Sequence, residues 1–480
     1  MDDSLVLADL APDVRSQFTC RRSENLFAAI ERCLDNGVGV CLVIDEDQRV
    51  LGKIDLEDIR AAILDGSAVG DATIEKHIVS CFGAAKLLRN DAGDDVLMPV
   101  LDRNGRLVNV AVDRTRRYVQ VARPDLSHAE FRGVLDAFLS SWISSRGAYI
   151  QRFEQEFAAR LGIKHGIAVS NGTVALHLAL VALGVGPGDE VIVPDLTFAA
   201  TINAVIFCGA TPVIVDIDAR TWTMTLESVA HAFTPRTKAI IPVHLYGRPA
   251  EMGPIAAFAK ARNVYVIEDC AEAHGARYDG RALGCYSDIA CFSFYANKIV
   301  TTGEGGMCLT DSPQLTAKLT QLRDHGASPD CSYWHERVGY NYRMTNLQAA
   351  IGLNQLWRID RTLARNRELD RLYREHLSAM AGVTFPPPLP DEYEPVVWLV
   401  SAQVPPDSRT RLIDTARAHD IEMRPFFHSI SEMPIYEKFA QPCPNSAALA
   451  RSGINLPTSN GVDIGVIEKV TGVFRKVLCD

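Results

Sequence analysis

The sequence predicts an α/β protein in three parts: an α+β module in front, a large domain on a mixed, mostly parallel sheet, and a small C-terminal α/β domain. Three observations predict it. A degenerate repeat fills about the first 115 residues, apolar strands alternate with helical stretches from Gly166 onward, and Pro386-Pro387-Pro388 marks the passage into the last segment. The boundaries read from these signals are 1–117, 118–360 and 361–480.

In the repeat, Ile44 to Gly52 matches Leu101 to Asn109, each an apolar strand, a polar turn and a second apolar strand. Glu24 to Asn36 has helical spacing before the first hairpin, and Leu56 to Leu64 gives a helix after it. Helix, two strands, helix, repeated, resembles a paired cystathionine-β-synthase (CBS) module. In that family an aspartate of the second helix binds the ribose of an adenine nucleotide, and Asp58 matches it; the second copy has Thr115. The family's threonine three positions earlier is Asp55 in one copy and Val112 in the other. The module therefore reads either as a nucleotide sensor or as a docking or dimerising unit that binds nothing.

A basic stretch, Arg114-Thr115-Arg116-Arg117, reads as a linker, and the next unit opens near Val121-Ala122-Arg123-Pro124. Expected strands are Gly166 to Val169, Glu190 to Val193, Thr211 to Val215, Ala239 to Pro242 and Val264 to Ile267, with helices at Thr173 to Leu183 and Pro254 to Ala261. Such alternation means a largely parallel sheet covered by helices. A long charged helix, Asn354 to Leu377, closes the large domain. The end domain is expected to hold a strand at Val396 to Val404 and helices at Ser408 to Ala418 and Ile464 to Val477.

The net charge of -10 argues against nucleic-acid or anionic-membrane partners, while leaving room for a small phosphorylated ligand. The 12 cysteines form no Cys-x-x-Cys pair and lie mostly in apolar runs, as in a reduced, cytoplasmic protein. The start, Met1-Asp2-Asp3, is acidic where a secretory signal is basic, and the longest apolar run, Val174 to Val185, is too short to span a bilayer.

Three motifs carry chemistry. Ser170-Asn171-Gly172-Thr173 lies between a strand and a helix, where free N–H groups and the helix dipole attract a phosphate; the same residues read equally as a helix cap. Asp269 ends the strand after Glu268, where open α/β sheets bind ligands and where a carboxylate can keep a pyridine nitrogen protonated; one of the two acids could instead cap a helix. Lys298 follows Phe292, Phe294 and Tyr295, precedes Ile299 and Val300, and leads into Gly303-Glu304-Gly305-Gly306. Desolvation there lowers a lysine's pKa, leaving a neutral amine to condense with the aldehyde of pyridoxal phosphate and to carry protons. His244 and His274 have no paired His or Cys at ligand spacing, so packing or substrate contact is expected rather than a metal.

Together with Pro194-Asp195-Leu196-Thr197-Phe198, Glu268 to Gly275 and Gly339 to Met344, these motifs resemble the DegT/DnrJ/EryC1/StrS sugar aminotransferases over Val121 to Asp480. The resemblance implies the fold of type I pyridoxal-phosphate-dependent transferases, with Lys298 and Asp269 catalytic. Gly172, Thr173 and Ser293 would hold the cofactor's phosphate, Phe198 would stack on its ring and Glu272 would lie near its 3-hydroxyl. Asn341 would reach the phosphate of a neighbouring subunit, which implies a homodimer. Phe294 to Met307 and Tyr333-Trp334-His335 look most like members that aminate a GDP-linked 4-keto-6-deoxymannose with glutamate; UDP- or dTDP-linked ketosugars are the alternative. A related sugar 3-dehydratase has histidine in place of the lysine, so Lys298 selects transamination. The family's histidine in a Pro-Leu-His-x-x-Pro segment is Ser431 here, with His428 nearby. A reading of a different class makes the chain a nucleotide-sensing regulator with an inactive aminotransferase domain.

Overall fold

The computed structural model describes residues 16–36, 38–64, 73–80, 88–89, 96–101, 106–113 and 118–479. The chain divides into two compact units: Met1–Val119 with Leu126–Arg132, and Gln120–Asp125 with Gly133–Asp480.

In the first unit both hairpins of the repeat are present. Val40–Ile44 pairs antiparallel with Val50–Asp55, and Val96–Leu101 with Leu107–Asp113. Both ladders shift register at matched positions, between Val43 and Ile44 and between Val100 and Leu101, so the repeat reaches down to an irregularity of the ladder. The hairpins meet at an Arg49–Arg106 bridge, where Leu107 N–H donates to the Gln48 carbonyl at 2.8 Å. Helix Leu26–Asp35 buries Leu26, Ala29, Ile30 and Cys33, one face at helical spacing, and Asn25 caps it by accepting from Ala28 N–H. Helix Leu56–Leu64 follows the first hairpin. Leu126–Arg132 joins this unit through His128 with Asp35 (2.7 Å), Arg132 with Glu31, and the rings of Phe131 and Phe27. The expected linker at 114–117, with Thr115, lies outside the described residues.

The second unit is built on a sheet of seven strands: β1 (His165–Val169), β2 (Glu190–Pro194), β3 (Thr211–Val215), β4 (Thr237–Ile240), β5 (Tyr265–Asp269), β6 (Ile289–Ser293) and β7 (Gly306–Thr310). Their order is β3-β2-β4-β5-β6-β7-β1. All neighbours are parallel except that β7 runs against both β6 and β1. Strands such as β2 and β6 are buried along their whole length, as strands covered on both faces must be. Alternate side chains supply two cores: Ile192, Ile240, Val266 and Phe292 one, Val191, Val193, Ile267 and Cys291 the other. The helix Gly172–Ala182 is apolar nearly all round, with Ala175 to Leu180 buried in sequence.

The expected single helix from Asn354 to Leu377 is two, Asn346–Trp357 and Ile359–Leu377. The first opens with a capping box of Thr345 and Gln348, and Arg358 leaves helical geometry between the two. The second buries Ile359, Leu363, Asn366, Leu369, Tyr373 and Leu377, a stripe at spacings of three and four. The strand expected over Val396 to Val404 begins only at Val400, because Val396 N–H already donates to the Gly247 carbonyl (3.0 Å) and the chain bends there. Val400–Gln403, Gly453–Leu456 and Arg424–Pro425 form a small antiparallel sheet flanked by helices Pro406–Arg417 and Ile464–Leu478. Among the described residues no helix is long and apolar enough to cross a membrane.

Candidate active site

The carboxyl ends of β1, β2, β5 and β6 share one edge of the sheet, so Ser170, Asp195, Asp269 and Ser293 emerge together by topology alone. Asn171 caps the helix Gly172–Ala182, its side chain accepting from Val174 N–H at 3.0 Å. The first-turn N–H groups of Gly172 and Thr173 keep no partner inside the helix. A Cβ at Gly172 would stand 2.7 Å from the Ser293 Cβ, so glycine is what lets this turn close on the serine. The cap and the free first-turn N–H groups thus belong to the same turn.

Asp269 is 5% exposed; its Oδ2 accepts from Thr201 Oγ1 at 2.9 Å and its Oδ1 from Ala271 N–H at 3.2 Å. Burial pushes its pKa up, opposed by those two donors and by the charge of Lys298. Glu268 does not cap a helix. Its carboxylate is buried and takes Gly284 N–H, Tyr286 N–H and His244 Nε2. His244, Glu268 and Cys270 lie close enough to suggest a metal, but His244 Nδ1 accepts from Ala250 N–H, so its proton sits on Nε2 and is given to Glu268. Burial also pushes the Cys270 thiol well up, away from the thiolate a metal would need. His274 packs against Phe157 and Phe292 and is pushed down to about 3 by burial, then by Lys298, which makes it a neutral core ring.

Lys298 sits in the turn after β6 with its side chain 11% exposed. Burial lowers its pKa against the opposing pull of Glu272 and Asp269. Its Nζ is 3.5 Å from Glu272 Oε1, while Glu272 Oε2 accepts from Tyr246 N–H at 2.8 Å. Burial in turn raises the Glu272 pKa. Phe198 is 59% exposed, a free ring face beside Phe427. Asn341 is exposed and accepts from Arg343 Nε, standing apart from this cluster as a group turned outward. Ser431 gives its N–H to Asp195, which also takes the Ser429 hydroxyl. A cavity of about 40 Å³ adjoins Lys298, lined among others by Arg123, Asp125, Asn297, Trp398 and Asn460.

Sequence reasoning gave no role to Thr201, Tyr246 or Trp398. Thr201 stands four residues after Thr197 on the helix beginning at Ala200, and that spacing was a usable signal; the hydroxyls are 3.0 Å apart. Tyr246 and Trp398 had none, since their place follows only from tertiary packing.

The residues fit pyridoxal phosphate. A glycine-tight helix start faces a serine hydroxyl, a buried carboxylate at the end of a strand is held by two neutral donors, and a buried amine lies 3.5 Å from an acid.

The profile of the DegT/DnrJ/EryC1/StrS aminotransferase family matches residues 124–475, and that of the CBS domain residues 9–65. GDP-perosamine synthase of Caulobacter vibrioides is 45% identical over 364 residues, 75% of this chain and 98% of the relative. The GDP-perosamine synthase of Escherichia coli O157:H7 is 43% identical over 350 residues, 71% and 93%. Among solved structures, Spr1654 of Streptococcus pneumoniae in its PLP form matches with a TM-score of 0.70 at 27% identity, over 75% of this chain and 99% of that one. The chain, a pyridoxal-phosphate-dependent sugar aminotransferase with a CBS domain in front, belongs to the DegT/DnrJ/EryC1/StrS aminotransferase family.

Proposed function

We propose that this enzyme moves the amino group of glutamate onto C4 of GDP-4-keto-6-deoxymannose. The observation that carries this reading is the 45% and 43% identity to two GDP-perosamine synthases over nearly their whole lengths. Bound pyridoxal phosphate supplies an aldehyde for the amino group and a ring that accepts electrons when a C–H bond is broken. The Gly172 and Thr173 N–H groups and the Ser293 hydroxyl bind its phosphate. Asp269 keeps the ring nitrogen protonated, with Thr201 holding the carboxylate in line. Glu272 would lie near the ring's 3-hydroxyl and Phe198 would stack on the ring. Lys298, as a free amine, would carry the proton between the reacting carbon and C4′ of the cofactor. Asn341 of the partner subunit completes the phosphate site, which makes a homodimer the working unit.

In the first unit Asp55 Oδ1 accepts from Asp58 N–H and Asp58 Oδ2 from Asp55 N–H, so both acids are engaged in capping helix Leu56–Leu64. That favours a docking role for this module over adenine-nucleotide binding. The domain boundaries at 117 and 360 and a cytoplasmic location remain part of this reading.

Assaying GDP-, UDP- and dTDP-linked 4-ketosugars with glutamate tests it. GDP-4-keto-6-deoxymannose is expected to be the best acceptor. A faster UDP or dTDP substrate would move the assignment to another nucleotide. No pyridoxamine form after glutamate alone would remove the donor.

A further inference from the structure

One aromatic side chain faces the nitrogen of Lys298. Its Nζ lies 3.7 Å from the centroid of the Trp398 ring, within cation–π range. The same indole donates its Nε1–H to the Asn297 carbonyl at 2.7 Å, one residue before the lysine. Trp398 is 5% exposed, so both contacts are desolvated.

Its position is set from behind. Tyr246 stacks on it with ring centroids 6.0 Å apart at 16°, and Tyr246 holds a left-handed backbone (φ 51°), uncommon for a non-glycine residue. The next residue, Gly247, also has positive φ, and a Cβ there would stand 2.2 Å from the Val396 carbonyl oxygen. This close approach fixes the segment that carries Trp398. The Tyr246 N–H meanwhile orients Glu272, so indole and carboxylate are set by one strained turn.

We propose that Trp398 is a positioning residue for Lys298: its face holds the ammonium of the free lysine opposite Glu272, and its N–H pins the turn that bears the lysine. The other titratable groups around Lys298 are Asp269, Glu272 and His274, with Tyr246 behind the indole and Arg123 and Asp125 across the adjoining cavity. Burial disfavours the charged amine and the two carboxylates favour it; the indole adds to the second side without adding a charge. The lysine thereby has a fixed place in which to hold the proton it has taken from the reacting carbon until that proton is returned.

The test uses the full-length cofactor-free protein. Trace acetic anhydride labels neutral amines, so peptide mass spectrometry of Lys298 acetylation against pH gives its titration midpoint. Trp398→Phe and Trp398→Leu both lose the bond to Asn297, but only the leucine loses the ring face. The midpoint is expected to fall in the order parent, Phe, Leu, with Leu about one pH unit below the parent. Equal midpoints for Phe and Leu, or a Leu midpoint equal to the parent's, would overturn the proposal. Trp398→Met, unbranched and adaptable but likewise without a π face, replaces Leu if that variant does not fold; it is read by the same criterion. The inference rests on Lys298 as the cofactor's lysine. That is tested separately by loss of the visible band in Lys298→Ala, which the acetylation midpoint does not depend on.

Discussion

Thr201 gives its hydroxyl proton to Asp269 across a separation of 68 residues, at 2.9 Å, inside a fully buried pair. The carboxylate needs that donor, because burial drives its pKa up and the Thr201 hydroxyl is the first of the groups that oppose it, ahead of Ala271 N–H and Lys298. Thr201→Val keeps the shape and removes the donor. A hydrogen bond to a charged group contributes about 1.5–3 kcal/mol, so both half-reactions are expected to slow about tenfold or more. Stopped-flow absorbance of each half-reaction checks this; unchanged rates in both would take Asp269 away from the ring nitrogen.

Lys298→Ala removes the amine and leaves the cavity that burial and Glu272 define. The purified variant is expected to lack the visible band of lysine-bound pyridoxal phosphate and to lose turnover. Normal transamination by it would end the assignment of Lys298.

The sheet was legible because its strands are short apolar runs between helical stretches, and β3 falls where periodicity placed it. Lys298, Asp269 and Gly172 were legible for a related reason: Asp269 ends a strand, Gly172 starts a helix and Lys298 lies in the turn after a strand, and the topology brings those ends to one edge. The break at Arg358 was not legible, since the apolar stripe runs on through Ile359 and only the backbone turn interrupts it. Glu268 could not be told from Asp269 as partners in the sequence. Adjacent residues of a strand face opposite ways, and Glu268 points to His244 while Asp269 points to Thr201. Trp398 lies 100 residues from Lys298 in the chain, and tertiary contacts such as those of Gly247 with Val396 and of Asn366 with the Val397 carbonyl bring it there.

The two acids at the start of helix Leu56–Leu64 predict a pH dependence. The Asp58 pKa is raised from 3.8 to about 6, by burial first and then by Asp55, whereas the Asp55 pKa is lowered with Lys53 at 2.6 Å. A raised carboxyl pKa means stability that is fully present below 3.8 and lost as pH rises through about 6. Asp55 acts in the opposite sense, its contribution being lost as pH falls below its ordinary range. Asp58→Asn keeps an acceptor for the Asp55 N–H and removes the repulsion, so the first unit is expected to gain stability at pH 7 and to lose its decline between pH 4 and 6. All five tryptophans follow residue 141, so circular dichroism transitions that tryptophan fluorescence does not follow report this unit. An unchanged pH profile would show that the two acids do not interact in this way.

The residues proposed to hold the cofactor all lie in the second unit, and so does Gln120–Asp125, part of which lines the cavity beside Lys298. A chain shortened to begin at residue 118 therefore keeps every group assigned to catalysis, including Arg123 and Asp125. It loses most of the partners of Leu126–Arg132, since Asp35, Glu31 and Phe27 are gone. The start of helix His128–Leu139 is then expected to fray while the seven-stranded sheet keeps its two cores. The shortened enzyme should bind pyridoxal phosphate, complete both half-reactions within about threefold of the full chain, and unfold at an unchanged midpoint by tryptophan fluorescence. A change confined to the oligomeric state, read by light scattering, would assign the front module to docking. If the shortened enzyme instead binds cofactor and accepts the amino group from glutamate but passes it to no nucleotide sugar, the front module supplies substrate contacts, and its separation from the chemistry is wrong.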